Sequence, residues 1–198
     1  MNFRRAFLAG AGLAAALIVP AAAQQAPQVT DHKEFGDWVV ECYAGQATTP
    51  CSMIDVLIDN NSKQRVLTVA LTYVPGSDRH ILRLVVPLGI SIEKGVSLSV
   101  EKFKSPTWNY AYCSNQGCFM QTEVDTATIS ALAHASERAK VAFVDNSNGK
   151  LWEVTFSLAS FTEAHDLMVD WTRQKTKGSS TSSDAAAAEP AKPAKSGK

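Results

Sequence analysis

Apolar and polar residues alternate with a period of two along several short segments of this sequence. The pattern is clearest over residues 67–73, 96–100 and 152–158. A period of two sends successive side chains to opposite faces of an extended chain, so each segment is predicted to be a half-buried β-strand. Six further segments are candidate strands, at residues 38–43, 53–58, 81–86, 108–113, 119–124 and 141–144.

Clusters of turn-forming residues separate these segments at short intervals. They lie at residues 59–62, 75–78, 115–117 and 146–149. About nine short strands with this spacing predict a mainly β fold, an antiparallel β-sandwich of immunoglobulin-like or jelly-roll-like type, with one or two short helices. One helix is predicted over residues 126–137, and a second begins at a capping-box pattern over residues 160–163.

The first 23 residues are predicted to be a signal peptide. Arg4 and Arg5 precede an apolar run over residues 6–19, and three alanines at 21–23 fit the small-residue cleavage rule. The run is shorter than the roughly 20 residues needed to cross a bilayer core, so removal is favoured over a retained anchor. The paired arginines also resemble a twin-arginine signal. However, Phe3 stands where such signals favour Ser or Thr, so the general secretory route is preferred.

The remaining chain divides into three parts. Residues 24–33 are polar and are predicted to be a flexible lead-in, and residues 34–174 form the single β-sandwich domain. Residues 175–198 consist mainly of Ala, Lys, Pro and Ser, with no large apolar residue. Such a segment cannot bury enough surface to offset the entropy of ordering, so a disordered tail is predicted.

Four cysteines in a chain predicted to be exported are expected to form disulfides. Cys113 and Cys118 flank a turn between two candidate strands, which brings them within disulfide distance across a hairpin. Cys42 and Cys51 enclose a similarly short loop. We therefore predict the pairs Cys42–Cys51 and Cys113–Cys118. The alternatives are a four-thiolate zinc site, although neither pair has the C-x-x-C spacing, and free or redox-active thiols.

Charge and motifs argue against several classes of function. Residues 24–174 carry 12 basic and 17 acidic side chains, which argues against nucleic-acid binding. The common hydrolase, zinc-protease and nucleotide-binding motifs are absent from the sequence. Asp55 and Asp59 are interpreted as ordinary strand-end and turn residues. The histidines lie far apart, and each is interpreted as structural or exposed: His32, His80, His134 and His165. We predict no catalytic residues, no metal and no cofactor.

Three aromatic residues, Trp108, Tyr110 and Tyr112, alternate along one predicted strand beside the Cys113–Cys118 loop. Alternation sends all three rings to the same face. That face either fills the core or, if it is exposed, forms a platform for a glycan, a peptide or a partner protein. The three residues are therefore the candidate partner-binding residues.

Several short motifs occur in a characteristic order. They are FGDW at 35–38 before Cys42, PLGI at 87–90 before GVSL at 95–98, YC at 112–113 before GC at 117–118, and SL at 157–158 before Phe161 and Ala164. Together, over roughly residues 35–167, they resemble the invasion-associated locus B family of exported bacterial proteins. The resemblance implies a β-sandwich in the periplasm, at the outer membrane or outside the cell, which in pathogens is associated with invasion of host cells. It supplies no catalytic residues.

We therefore predict an exported, non-enzymatic bacterial envelope or secreted protein that binds a protein or polysaccharide of the cell envelope or of a host surface. The alternative is a periplasmic structural or stress-protective accessory protein, whose basic tail would act as a tether. An unrecognised hydrolase is a weaker alternative. No transmembrane span is expected after removal of the signal peptide, and a peripheral membrane contact stays open.

Overall fold

The structure is a computed structural model that describes residues 28–135 and 138–186. The predicted signal peptide and the last residues of the predicted tail lie outside the described residues. Within these ranges the chain forms eleven strands and two α-helices. The strands are β1 (Val29–Phe35), β2 (Trp38–Tyr43), β3 (Cys51–Ile58), β4 (Arg65–Val74), β5 (Arg79–Val86), β6 (Val96–Val100), β7 (Phe103–Lys104), β8 (Tyr112–Ser114), β9 (Gly117–Val124), β10 (Arg138–Val144) and β11 (Leu151–Ser157). The helices are α1 (Thr126–His134) and α2 (Phe161–Ala186).

The strands form two antiparallel sheets. The first has seven strands in the order β1-β2-β3-β4-β5-β9-β8, and the second has four in the order β11-β10-β6-β7. Neighbours in the first sheet are mostly consecutive in the chain, because each turn cluster reverses the chain direction and returns it beside the preceding strand. The prediction of a mainly β, antiparallel sandwich with two helices is confirmed.

Buried side chains from both sheets and from the helices form one continuous core. Every second residue of β2 is buried, from Trp38 to Cys42, and β6 follows the same rule. Helix α2 contributes Phe161, Ala164 and Met168 to this core and packs against the β1–β4 part of the first sheet. Complete burial of a large apolar side chain stabilises a fold by about 1.5–3 kcal/mol, so the alternating pattern selects the register of each strand.

The two helices begin where the sequence predicts. Helix α1 starts after Asp125, whose carboxylate accepts a hydrogen bond from the backbone N–H of Thr128 at 2.8 Å. It spans Thr126–His134, which is shorter than the predicted 126–137. Neither helix of the described residues has a stretch that is both long and apolar enough to span a bilayer.

Two predicted boundaries are wrong. The expected flexible lead-in at 24–33 is a strand from Val29 onward, because β1 forms a backbone ladder with β2 although its own side chains are mostly polar and exposed. The expected disordered tail from Lys175 is helical as far as Ala186, because α2 continues beyond the core once its packed turns have formed. Lys175 Nζ lies 2.5 Å from Asp31 Oδ2, so the two corrected segments contact each other.

The sandwich has four edge strands, and they differ in length and charge. Strand β7 has two residues and β8 has three. Strand β1 carries a run of charged residues and a register shift between Val29 and Asp31. Strand β11 has seven residues and has a neighbouring strand on one side only, β10.

Candidate functional site

The structure separates the three aromatic residues that the sequence placed on one face. Trp108 pairs with Val96 of the second sheet, whereas Tyr112 belongs to β8 of the first sheet. Trp108 and Tyr110 are half-buried against the core, while Tyr112 is 59% exposed and stacks on Phe119 with ring centroids 4.7 Å apart. The prediction of a shared aromatic face is wrong, because alternation holds only within a continuous strand and the chain crosses between sheets here. Of the two alternatives, core filling applies to Trp108 and Tyr110.

Both predicted cysteine pairs are disulfides in the structure. The S–S distances are 2.05 Å for Cys42–Cys51 and 2.06 Å for Cys113–Cys118. In each pair the two residues lie directly opposite each other on neighbouring antiparallel strands. Cys42 and Cys51 are buried in the core, whereas Cys113 is exposed at the rim. The two bridges are therefore part of the scaffold.

The strongest candidate site is an open groove of about 660 Å³ along the edge strand β11, which we call the β11 groove. Residues 152–157 of β11 form one wall. Residues 55–61, from the end of β3 and the turn that follows it, form the other wall, and Asp37 also lines the groove. The site therefore lies where the edge of the second sheet meets the end of strands from the first.

Asp55 is a buried carboxylate in this groove, with 4% of its surface exposed. It continues the inward-facing series Cys51 and Met53 along β3. Burial, reinforced by the negative charge of Asp37, raises the pKa of Asp55 to about 6, while a hydrogen bond from the backbone N–H of Val56 opposes the shift. Since a buried carboxylate is costly unless it is paired, this position favours a cationic group in the groove.

Apolar side chains line the same groove and remain accessible. Trp152 is 48% exposed and stacks against Phe143 of the neighbouring strand, with ring centroids 6.5 Å apart. Val56 and Ile58 are also about half exposed on the facing wall. Trp152 borders a second, smaller cleft of about 80 Å³ together with Leu88. Clustered exposed apolar residues at a concave surface are typical of interaction sites.

The β11 groove has an excess of acidic residues and borders an unpaired strand edge. Its acidic residues are Asp37, Asp55, Asp59 and Glu153, against a single basic residue, Arg138. The outer edge of β11 also offers backbone N–H and C=O groups in the spacing that an added strand would pair with. The groove therefore suits an extended segment that carries apolar and basic side chains.

Two features of the structure were missed from the sequence. The sequence position of Asp55 indicates an ordinary strand-end residue, whereas the alternation from Cys51 and Met53 places it inside. The sequence predicts two unrelated histidines at His80 and His165, yet their Nε2 atoms lie 2.9 Å apart. Burial and the nearby charges of His165 and Arg173 lower the pKa of His80 to about 4, against the opposing charge of Asp78. No sequence signal links two histidines 85 residues apart.

Comparison with known proteins finds one family profile and two curated relatives that match this chain. The profile of the family described as "Invasion associated locus B (IalB) protein" matches residues 38–169, which is more than half of the chain. Two curated relatives, both invasion protein B homologs from strains of Brucella abortus, are 31% identical over 103 residues. That match spans 52% of this chain and 59% of the length of each relative.

A solved structure has the same fold. The crystal structure of invasion associated protein B from Bartonella henselae superposes with a TM-score of 0.63 and 20% sequence identity. The match covers 73% of this chain and 99% of the crystallised one. At this identity the similarity establishes a shared architecture.

Proposed function

Because this chain belongs to the invasion associated locus B family, we propose that it is an exported, non-enzymatic envelope or secreted protein that binds a partner protein in the β11 groove. Export is supported by the signal-like first 23 residues and by two disulfides, which persist in oxidising compartments. The relatives named invasion protein B homologs support a role at the bacterial surface or beyond it.

A single observation carries the proposal: an accessible tryptophan, Trp152, and a buried carboxylate, Asp55, line the same groove beside an unpaired strand edge. Aromatic residues in the centre of an interface contribute much of its binding energy. The carboxylate is poorly solvated before binding, so a lysine or arginine of the partner gains a charge-assisted hydrogen bond there.

The edge of β11 favours a protein over a polysaccharide as the partner. An extended peptide can form main-chain hydrogen bonds along β11 and place alternate side chains into the groove. A glycan would use Trp152 and the acidic side chains but would leave the backbone groups of β11 in water. The two kinds of partner therefore differ in whether the β11 amides become protected.

The experiment uses the full chain, expressed for export and purified from the periplasm. Envelope proteins and host-cell surface extracts are captured on the parent chain, on Trp152→Ala and on a matched control, Ile92→Ala, which shortens an exposed apolar residue outside the groove. We expect at least one protein to be retained by the parent and by the control. The Trp152→Ala variant should lose about 2 kcal/mol of binding free energy for that protein.

Hydrogen exchange on the captured complex tests the mode of binding. The backbone amides within residues 152–157 that do not already donate to β10 should become protected, whereas those of β8 should not change. Partners retained equally by Trp152→Ala would overturn the groove assignment. Capture that survives protease treatment of the extract but not glycosidase treatment would show that the partner is a polysaccharide and would also overturn the proposal.

A further inference from the structure

Two histidines from distant parts of the chain meet at a separate site, away from the β11 groove. His80 lies in β5 and His165 lies in the second turn of α2. Their Nε2 atoms are 2.9 Å apart and their ring centroids are 4.9 Å apart. Both rings are half-buried, so the two nitrogens face each other in a restricted space at the rim of the core.

Neighbouring groups hold each imidazole in this orientation. His165 Nδ1 lies 3.1 Å from Asp166 Oδ1, which leaves Nε2 directed at His80. The ring of His165 stacks on Phe161 with centroids 6.0 Å apart, and the ring of His80 packs 5.2 Å from Tyr73. A histidine whose second nitrogen is bound to a carboxylate is the usual arrangement of a metal-binding imidazole, because the carboxylate fixes the tautomer and the ring orientation.

The space beside the pair is open to solvent and holds three carboxylates and one guanidinium. Both histidines line a cavity of about 710 Å³, together with Asp78, Arg79, Glu123 and Asp125, and Arg79 pairs with Glu123. The side chain of Asp78 is 79% exposed, accepts a hydrogen bond from Tyr73 at 2.6 Å and pairs with Arg173 at 3.4 Å. An incoming cation would therefore find two nitrogen donors, water and a nearby carboxylate.

We propose that His80 and His165 together bind one Cu²⁺ ion through their Nε2 atoms, with water in the remaining positions. Two nitrogens 2.9 Å apart, each about 2.0–2.1 Å from a shared ion, subtend an angle of about 90° at that ion. This is the angle between neighbouring ligands in the tetragonal geometry that Cu²⁺ prefers, whereas tetrahedral Zn²⁺ requires a wider separation. Imidazole is a favoured copper ligand, and Cu²⁺ has the highest affinity in the divalent series.

The site has two protein ligands rather than three or four. Across the described parts of the chain, no set of three or more His, Cys, Asp or Glu side chains is arranged to hold a metal. An ion held by two imidazoles exchanges with solvent more readily than one in a closed structural site. The site therefore suits reversible capture of copper rather than permanent incorporation.

The test uses the full exported chain without a histidine tag, stripped of metal and titrated with CuCl₂. We expect one equivalent of Cu²⁺ to bind and its electron paramagnetic resonance spectrum to show coupling to two imidazole nitrogens. His80→Gln and His165→Gln should each weaken binding at least about tenfold and reduce the coupling to one nitrogen. The matched controls His32→Gln and His134→Gln, which remove exposed histidines elsewhere, should bind as the parent does.

Circular dichroism and thermal unfolding without metal establish that each variant is folded. If a glutamine variant fails to fold, diethyl pyrocarbonate labelling of the parent replaces it: Cu²⁺ should protect His80 and His165 but not His134. A spectrum that the His80 and His165 variants leave unchanged, equal labelling with and without copper, or the absence of stoichiometric binding would each overturn the proposal.

Discussion

The indole Nε1 of Trp38 donates a hydrogen bond to the backbone oxygen of Ser157, at 3.1 Å, across 119 residues of sequence. This bond joins β2 of the first sheet to the end of β11 in the second. The Trp38 ring also packs edge-on against Phe156 and Phe161, with centroids 6.1 and 5.4 Å away. One fully buried side chain therefore connects both sheets and helix α2.

Replacing Trp38 with phenylalanine should destabilise the fold by about 2–3 kcal/mol, because it removes buried volume and leaves the Ser157 oxygen without its donor. The measurement is urea unfolding followed by circular dichroism. Trp152→Phe is the matched control, since the same change at an exposed position should shift stability by less than about 0.5 kcal/mol. Equal losses in the two variants would contradict the role assigned to Trp38.

Asp55→Asn should stabilise the protein at neutral pH. The folded pKa of Asp55, about 6, lies above its ordinary value of 3.8, so the fold binds the proton more tightly than the unfolded chain does. The resulting stability is complete below about pH 4 and is lost as the pH rises through 6. The asparagine variant avoids this loss and should exceed the parent by about 2 kcal/mol at pH 7.5.

The pH dependence distinguishes this effect from a change in net charge. The difference between Asp55→Asn and the parent should shrink as the pH falls from 7.5 to 4.5, because the parent carboxyl becomes protonated. Glu153→Gln changes the net charge equally but at an exposed site, and it should alter stability by less than about 0.5 kcal/mol at either pH. A constant difference across this range would show that Asp55 is not the titrating group.

Gly95→Ala should be more damaging than Gly36→Ala, although both glycines have positive φ angles, +64° and +60°. A Cβ on Gly95 would lie 2.5 Å from the backbone oxygen of Trp108, whereas a Cβ on Gly36 would meet nothing within 4 Å. We expect a loss of about 1 kcal/mol for Gly36→Ala and at least about 2 kcal/mol for Gly95→Ala. Thermal unfolding measures the stability loss of each variant. Equal losses would show that a Cβ at Gly95 does not clash with the backbone of Trp108.

The disulfide Cys113–Cys118 should be reduced before Cys42–Cys51 in the folded protein. A reductant reaches the exposed Cys113, while Cys42 and Cys51 are 0% and 1% exposed. Graded reduction followed by alkylation and mass spectrometry gives the order, and Cys42–Cys51 opening first would contradict it.

Removing either bridge by paired substitution to alanine should lower the free energy of unfolding by about 2–3 kcal/mol, since each closes a short loop.

The strands and the disulfide register could be predicted because both depend on local spacing. Alternation identified β4, β6 and β11, and short loops between cysteines indicated direct cross-strand pairs. The polar strand β1 could not be predicted in this way, because its ladder with β2 supplies hydrogen bonds rather than a buried apolar face. The helical continuation from Lys175 has a composition typical of disorder, so composition alone gave the wrong result there.

The candidate sites depend on contacts that sequence spacing does not encode. From the sequence alone, Trp152 is predicted to be an ordinary half-buried strand residue. Only the strand order of the second sheet shows that β11 lies at the edge of that sheet. His80 and His165 meet only because α2 packs back onto the first sheet after the last strand. Trp108 and Tyr112 differ in exposure because the chain changes sheets between them, which a period-two pattern cannot detect.

The unequal edges of the sandwich have a consequence for how purified protein should behave. Two edges are too short to recruit a neighbour and the third, β1, carries charge and an irregular register, but β11 has seven residues with one charged side chain, Glu153. Natural sheets tend to blunt such an edge. Without a ligand, concentrated samples should therefore self-associate through β11. The solubility of the purified protein would then depend on whether that edge is occupied.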